Sequence, residues 1–235
     1  MKLLAVDTAT EACSAALFID GAVHEQFELA SKKHTQLILP MIDSLMAEAG
    51  LRPSDLDALA FGRGPGSFTG LRIATGVIHG IALAADLPVV PVSTLAALAQ
   101  DYFANKAAAP VAESSPKVAF TAMDARMGEI FWGVYRYDPS GFVTLLGREA
   151  VTPAEHVEFP ALSGIGLGSG WAAYPAVLSN RLAGWVCQIE SAFWPRAGVI
   201  AQLASHDYAQ GLAVPVEQAM PVYLRDKVAK KESER

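Results

Sequence analysis

The chain opens on three short apolar runs, KLLAVDT at residues 2–8, CSAALFIDG at 13–21 and AVHEQFELA at 22–30, with Asp20-Gly21 between the second and third. Runs of this length around an Asp-Gly pair predict strands joined as an antiparallel meander. The period then changes. In QLILPMIDSLMAEAG, residues 36–50, Ile38, Ile42, Leu45 and Ala49 recur on one side and Leu37 and Met41 on an adjoining one before Gly50. That spacing predicts a helix with a glycine stop, and it allows Pro40 only in the first turn or at a kink. DALAFG at 57–62 reads as a buried strand, residues 70–86 as a second helix, LPVVPVS at 87–93 as a strand and TLAALAQDYFA at 94–104 as a helix. Residues 105–117, NKAAAPVAESSPK, have the composition of a linker.

Beyond the linker the opening pattern returns. VAFTAMDARMGEIFWGVYRYDPSG, residues 118–141, is again an apolar strand with an aspartate near its end, a short turn and a second strand, so that Asp7 and Asp20 correspond to Asp124 and Asp138. This recurrence predicts an internally duplicated α/β chain of mixed sheets with flanking helices. The expected division is an N-terminal lobe at 1–104, a C-terminal lobe at 105–210 and a tail at 211–235 returning toward the first lobe. GIGLGSGW at 164–171 reads as a glycine-rich turn, and helices are expected near 173–184 and 196–211.

Composition narrows the function classes. The 235 residues are 52% hydrophobic and only 18% charged, so some apolar surface is expected to be reserved for a partner. A net charge of −6 argues against a free-standing nucleic-acid binder, because such binding depends on Lys and Arg displacing counterions. Lys32, Lys33, Lys227, Lys230 and Lys231 read as ordinary charged surface, which leaves direct RNA contact open. Two distant cysteines, Cys13 and Cys187, read as core thiols of a reducing compartment. Asp7 and Glu11 interrupt the first apolar run before a signal core or a membrane span is complete, so a cytoplasmic chain is expected.

GRGPGSFTGLRIATG, residues 62–76, invites comparison with phosphate loops, but it has no Lys and Pro65 removes one N–H. The dinucleotide fingerprint fails at Thr69, where a third glycine is needed. His24, His34, His79, His156 and His206 are never three or four apart, so no helix presents paired imidazoles to a metal. The nucleophile elbow fails around both Ser67 and Ser169. No catalytic, metal or cofactor residues are therefore assigned. Asp7 and Asp124 are the remaining candidates for acid or metal roles, although such residues commonly cap turns. On the second helix Gly76, Gly80 and Ala84 lie four apart with Arg72 one turn before, beside a ridge of Ile73, Val77 and Ile81. Two interior glycines one turn apart require a packing explanation. The residues alone leave open whether the strip meets this chain's own elements or another chain.

LLAVDTAT, HTQLILPMIDSL, GRGPGSFTGLRIATG, MDARMGEIFWGVY and PVYLR occur in this order across residues 3–225. Together they resemble the bacterial TsaB family, also called YeaZ. The resemblance implies a two-lobed fold of the actin-like ATPase (ASKHA) type. It also implies a non-catalytic scaffold for TsaD, the paralogue that transfers a threonylcarbamoyl group to the adenosine 3′ of the anticodon in tRNA. TsaE joins them, and tRNA is met only within the complex. Actin-like phosphate turns carry Asp-x-Gly, whereas Ala9 and Arg126 stand here in the glycine positions. The resemblance further implies pairing through the first two long helices, so Leu37, Met41, Leu45, Arg72, Ile73, Gly76, Val77 and Gly80 are the expected contact with TsaD, or with a second copy when TsaD is absent. The contrasting expectation within the same superfamily is an active glycoprotease-like metallopeptidase or an ATPase.

Overall fold

A computed structural model describes residues 1–106 and 117–225; most of the expected linker and the last three of the five lysines named above lie outside the described residues. The first repeat contains β1 (Lys2–Asp7), β2 (Ala12–Ile19), β3 (Ala22–Leu29), α1 (His34–Ala49), β4 (Ala58–Gly64), α2 (Phe68–Ala85), β5 (Val89–Ser93) and α3 (Thr94–Asp101). The second contains β6 (Val118–Arg126), β7 (Glu129–Tyr137), β8 (Val143–Leu145), β9 (Ala150–Pro153), β10 (Gly164–Leu167), α4 (Ser169–Ala173), α5 (Pro175–Arg181), β11 (Val186–Glu190) and α6 (Ala197–Ala209).

The first sheet runs in the order β3-β2-β1-β4-β5, and the second in the order β11-β10-β6-β7-β8, with β9 added beside β7. Read from β8, the second order repeats the first. In both, the first strand is antiparallel to its hairpin partner and parallel to the strand on its other side. The expected duplication is thus present as topology, in an α/β fold of the actin-like type with two mixed sheets. The Asp20-Gly21 turn forms as expected, with φ of 49° and 97°.

Strand alternation divides each sheet between two cores. Leu4 and Val6 of β1 join Leu59 and Phe61 of β4 in the core under α1 and α2, whereas Leu3, Ala5, Ala58 and Ala60 face α6 on the other side. In the second sheet Phe120 and Trp132 pack with Trp171 and Leu178 beneath α4 and α5, and Ala119, Met123 and Tyr135 pack with Leu95 and Leu98 of α3. The two connecting helices therefore cross over. α3 leaves the first sheet and packs on the second, and α6 leaves the second and packs on the first.

Three details depart from expectation. α1 begins two residues earlier than expected, so Pro40 lies inside it, on the exposed side. There it removes one backbone donor at a position where water can satisfy the freed carbonyl. Within GIGLGSGW, residues 164–167 form the buried strand β10 rather than a turn. Cys187 is exposed on edge strand β11, and only Cys13 is a core thiol.

Candidate functional site

The glycine-rich loop between β4 and α2 closes on its own chain. A Cβ on Gly62 would lie 1.9 Å from Asp7 Oδ2, one on Gly66 2.5 Å from the Ala9 carbonyl oxygen, and one on Gly70 1.9 Å from the Thr8 carbonyl oxygen. These glycines let the loop lie directly on the Asp7-Thr8-Ala9 turn. Hydrogen bonds fasten it. Ser67 N–H donates to the Ala9 carbonyl at 2.7 Å, Thr8 Oγ1 donates to the Gly70 carbonyl at 2.7 Å, and Thr94 Oγ1 donates to the Pro65 carbonyl at 2.7 Å. The backbone groups that would meet an anion in a phosphate loop are thus partly engaged by the chain itself.

Asp7 ends fully buried beneath this loop. Its Oδ1 accepts from Ala9 N–H at 3.1 Å, and Oδ2 is the one buried side-chain oxygen without a partner among the described residues. Burial raises its pKa to about 7, against the opposing effect of the Ala9 hydrogen bond. Burial and the neighbouring Asp7 and Glu28 carboxylates likewise raise Cys13 to about 11, which keeps it a thiol. Asp124, the equivalent aspartate of the second sheet, faces the interlobe cleft instead. Its Oδ1 accepts from Arg126 N–H at 2.8 Å, and its Oδ2 lies 3.0 Å from Arg126 Nη1. The cleft measures about 840 Å³, and Lys32, His34, Ser67, Asp124, Ser169 and Arg225 are among its lining residues. Among the described residues no group of three or more His, Cys, Asp or Glu is arranged to hold a metal ion.

The other notable surface lies on α2. Ser67 caps the helix by accepting from Gly70 N–H, and Leu71, Ala74, Ile78 and Ala82 are its buried stripe. The opposite face is apolar too. A Cβ on Gly76 or on Gly80 would meet no atom of another element within 4 Å among the described residues, so no close packing there calls for glycine. Phe68 and Leu83 on the same helix are 53% and 67% exposed, and Leu39 of α1 is 56% exposed. The helix is 18 residues long and apolar enough to cross a membrane by length and composition, yet one side of it is fixed in the first lobe's core.

The eight expected contact residues separate into three groups. Arg72, Gly76 and Gly80 are exposed along one line of α2, Leu37, Ile73 and Val77 are half-buried at its margin, and Met41 and Leu45 are buried in the core beneath α1. Arg72 is not a free cation. Its guanidinium stacks 3.3 Å above the Phe68 ring, and Tyr223, arriving from the C-terminal segment, lies 5.5 Å from Phe68, centroid to centroid. Sequence reasoning missed Phe68, Leu83 and Tyr223. Phe68 was accessible by extending the four-residue spacing of Arg72, Gly76 and Gly80 one turn back.

Comparison with known proteins adds to this geometry. The family model described as TsaD, tRNA N6-adenosine threonylcarbamoyltransferase, matches residues 21–232. The chain is 42% identical over 233 residues to the tRNA threonylcarbamoyladenosine biosynthesis protein TsaB of Escherichia coli K12, covering 97% of this chain and 96% of that one. The Haemophilus influenzae protein of the same name is 37% identical over 237 residues, covering 97% and 95%. Among solved structures, YeaZ from Pseudomonas aeruginosa is 41% identical with a TM-score of 0.85, covering 95% of this chain and 99% of that one.

Proposed function

The chain belongs to the TsaB family, and from that premise we propose that it is a non-catalytic scaffold in the synthesis of threonylcarbamoyladenosine in tRNA. In this reading it works in the cytoplasm, binding and activating TsaD together with TsaE, and it meets tRNA only inside that assembly. The pathway follows from its relatives, which are named for the biosynthesis of this nucleoside. The observation that carries the scaffold role is the uncovered small-residue line on α2, Gly76 and Gly80, flanked by exposed Phe68 and Leu83. Each interior glycine costs a helix about 1 kcal/mol relative to alanine, and no close contact among the described residues offsets it. A partner helix seated on the smooth line would do so, because small residues let two backbones approach closely. A second copy can use the same face when TsaD is absent. A stable contact here needs to bury roughly 1,000 Å² or more in total.

The sealed turn at Asp7 supports the non-catalytic part of this reading. Catalysis needs a reacting atom within reach of its acid or base, and the Asp7 carboxylate is fully buried against Gly62. Reconstitution tests the proposal: purified chain, TsaD and TsaE are combined with tRNA and the threonylcarbamoyl adenylate, and transfer is measured with each component omitted. No transfer by the chain alone and transfer only when all components are present is the expected pattern. Peptide cleavage or ATP turnover by the isolated chain would overturn it in favour of a metallopeptidase or an ATPase.

A further inference from the structure

Besides the crossing helices α3 and α6, a buried carboxylate joins the two lobes. Glu149, in the loop between β8 and β9, has a side chain only 6% exposed. From the second lobe Tyr135 Oη donates to Glu149 Oε1 at 2.5 Å. From the first, Ser93 Oγ donates to the same oxygen, and Arg63 Nη2 lies 3.3 Å from Oε2. Burial and the Glu149 charge together raise the Tyr135 pKa well above the usual phenol value, so the phenol remains a donor. Both first-lobe partners occupy junctions. Ser93 caps α3 by accepting from Leu95 and Ala96 N–H, and Arg63 is the penultimate residue of β4, immediately before the glycine-rich loop that launches α2. The Arg63 carbonyl in turn accepts from Val222 N–H at 2.7 Å, and Arg225 of the same segment pairs with Glu129 of the second lobe.

We propose that Glu149 is a positioning residue that clamps the lobes and fixes, through Arg63, the loop from which α2 departs. A hinged cleft needs a junction whose contacts break at little cost. This one is a buried charge with three donors, and moving the second lobe away from Arg63 would leave that charge partly unpaired. The orientation of the α2 face relative to the second lobe thereby becomes a fixed property of the chain. The consequence for partner binding rests on the docking role proposed above; the clamp itself does not.

Backbone hydrogen exchange on the full chain tests the clamp, comparing Glu149→Gln and Tyr135→Phe with the wild type. Glu149→Gln keeps the shape and removes the charge that holds Arg63, and Tyr135→Phe removes the second lobe's phenol O–H, which donates to Glu149 and lies 3.2 Å from Ser93 Oγ. Exchange at Ser67 and Val222 is expected to rise about tenfold in both variants while the amides of β1 and β2 keep wild-type rates. A purely structural pair would instead raise exchange uniformly with the loss of global stability. Uniform change, or no change at Ser67 and Val222 in either variant, overturns the clamp, and Tyr135→Phe decides the matter by itself if Glu149→Gln does not fold. TsaD affinity measured on the same samples separates the two readings. Faster local exchange with weakened TsaD binding supports both, and faster exchange with no TsaD binding even by the wild type sinks the docking reading alone.

Discussion

Asp7 and Asp124 occupy equivalent ends of the central strands in two sheets of the same strand order, and they have met opposite fates. Asp7 is sealed under a glycine-rich loop with one carboxylate oxygen unpartnered, while Asp124 opens on the cleft and is held by Arg126. Both sheets use the same device to bring the following helix close. Gly62, Gly66 and Gly70 lie against the Asp7-Thr8-Ala9 turn, and Gly168 and Gly170 lie against Ala122, a Cβ on either coming within 2.8 Å of it. The helices that follow differ. The first repeat grows an 18-residue α2 with an open small-residue face, and the second breaks the corresponding region into the short α4 and α5. One repeat has closed the end of its central strand under a loop and extended an outer surface; the other helps to line the cleft and packs α6 against the first sheet.

The largest expected effect bears on the sealed aspartate. Its folded-state pKa, about 7, exceeds the unfolded value near 3.8, so the folded chain binds the extra proton and stability falls as pH rises from about 4 to about 7. Asp7→Asn is expected to flatten that slope and to raise stability at pH 8 by a few kcal/mol, on the order of 1.4 kcal/mol for each pH unit that separates the folded and unfolded values. Urea unfolding across this pH range checks it. The same change at Asp124 is expected to alter stability by no more than about 0.5–1 kcal/mol, because its partner Arg126 is exposed and the pair is screened.

Next in size is a contrast within one helix. Gly70→Ala forces a Cβ against the Thr8 carbonyl and is expected to destabilise by about 3 kcal/mol, whereas Gly76→Ala meets open space and is expected to stabilise by roughly 0.5–1 kcal/mol. Thermal unfolding of both variants would break the comparison if the two changes shared a sign.

Much of the fold was legible in local pattern. The Asp20-Gly21 hairpin and the amphipathic periods of α1 and α2 follow from turn chemistry and spacing, and the duplication showed in the two hairpins. β10 was hidden by its own glycines. Gly164 and Gly166 look like turn residues, yet a Cβ on them would come within 2.6 Å of the Phe120 ring and 2.5 Å of the Trp171 ring. Glycine in such a strand marks close ring packing, which only the tertiary structure reveals. The crossing of α3 and α6 onto each other's sheets likewise depends on contacts remote in sequence. Spacing placed Gly76 and Gly80 on one line of α2, but on α1 it could not tell Met41 and Leu45, which are buried, from side chains that point outward. Helical period gives the width of an apolar stripe and not which margin of it the sheet covers.

The central claim is that the open line of α2 receives a partner. Titrating TsaD against the wild-type chain and against Gly76→Leu by calorimetry tests it most directly, with thermal unfolding run on both to confirm the fold. The account predicts an unchanged or higher melting temperature and an affinity lower by at least about a hundredfold, the size of a hot-spot loss. Wild-type affinity in a folded Gly76→Leu variant would contradict it.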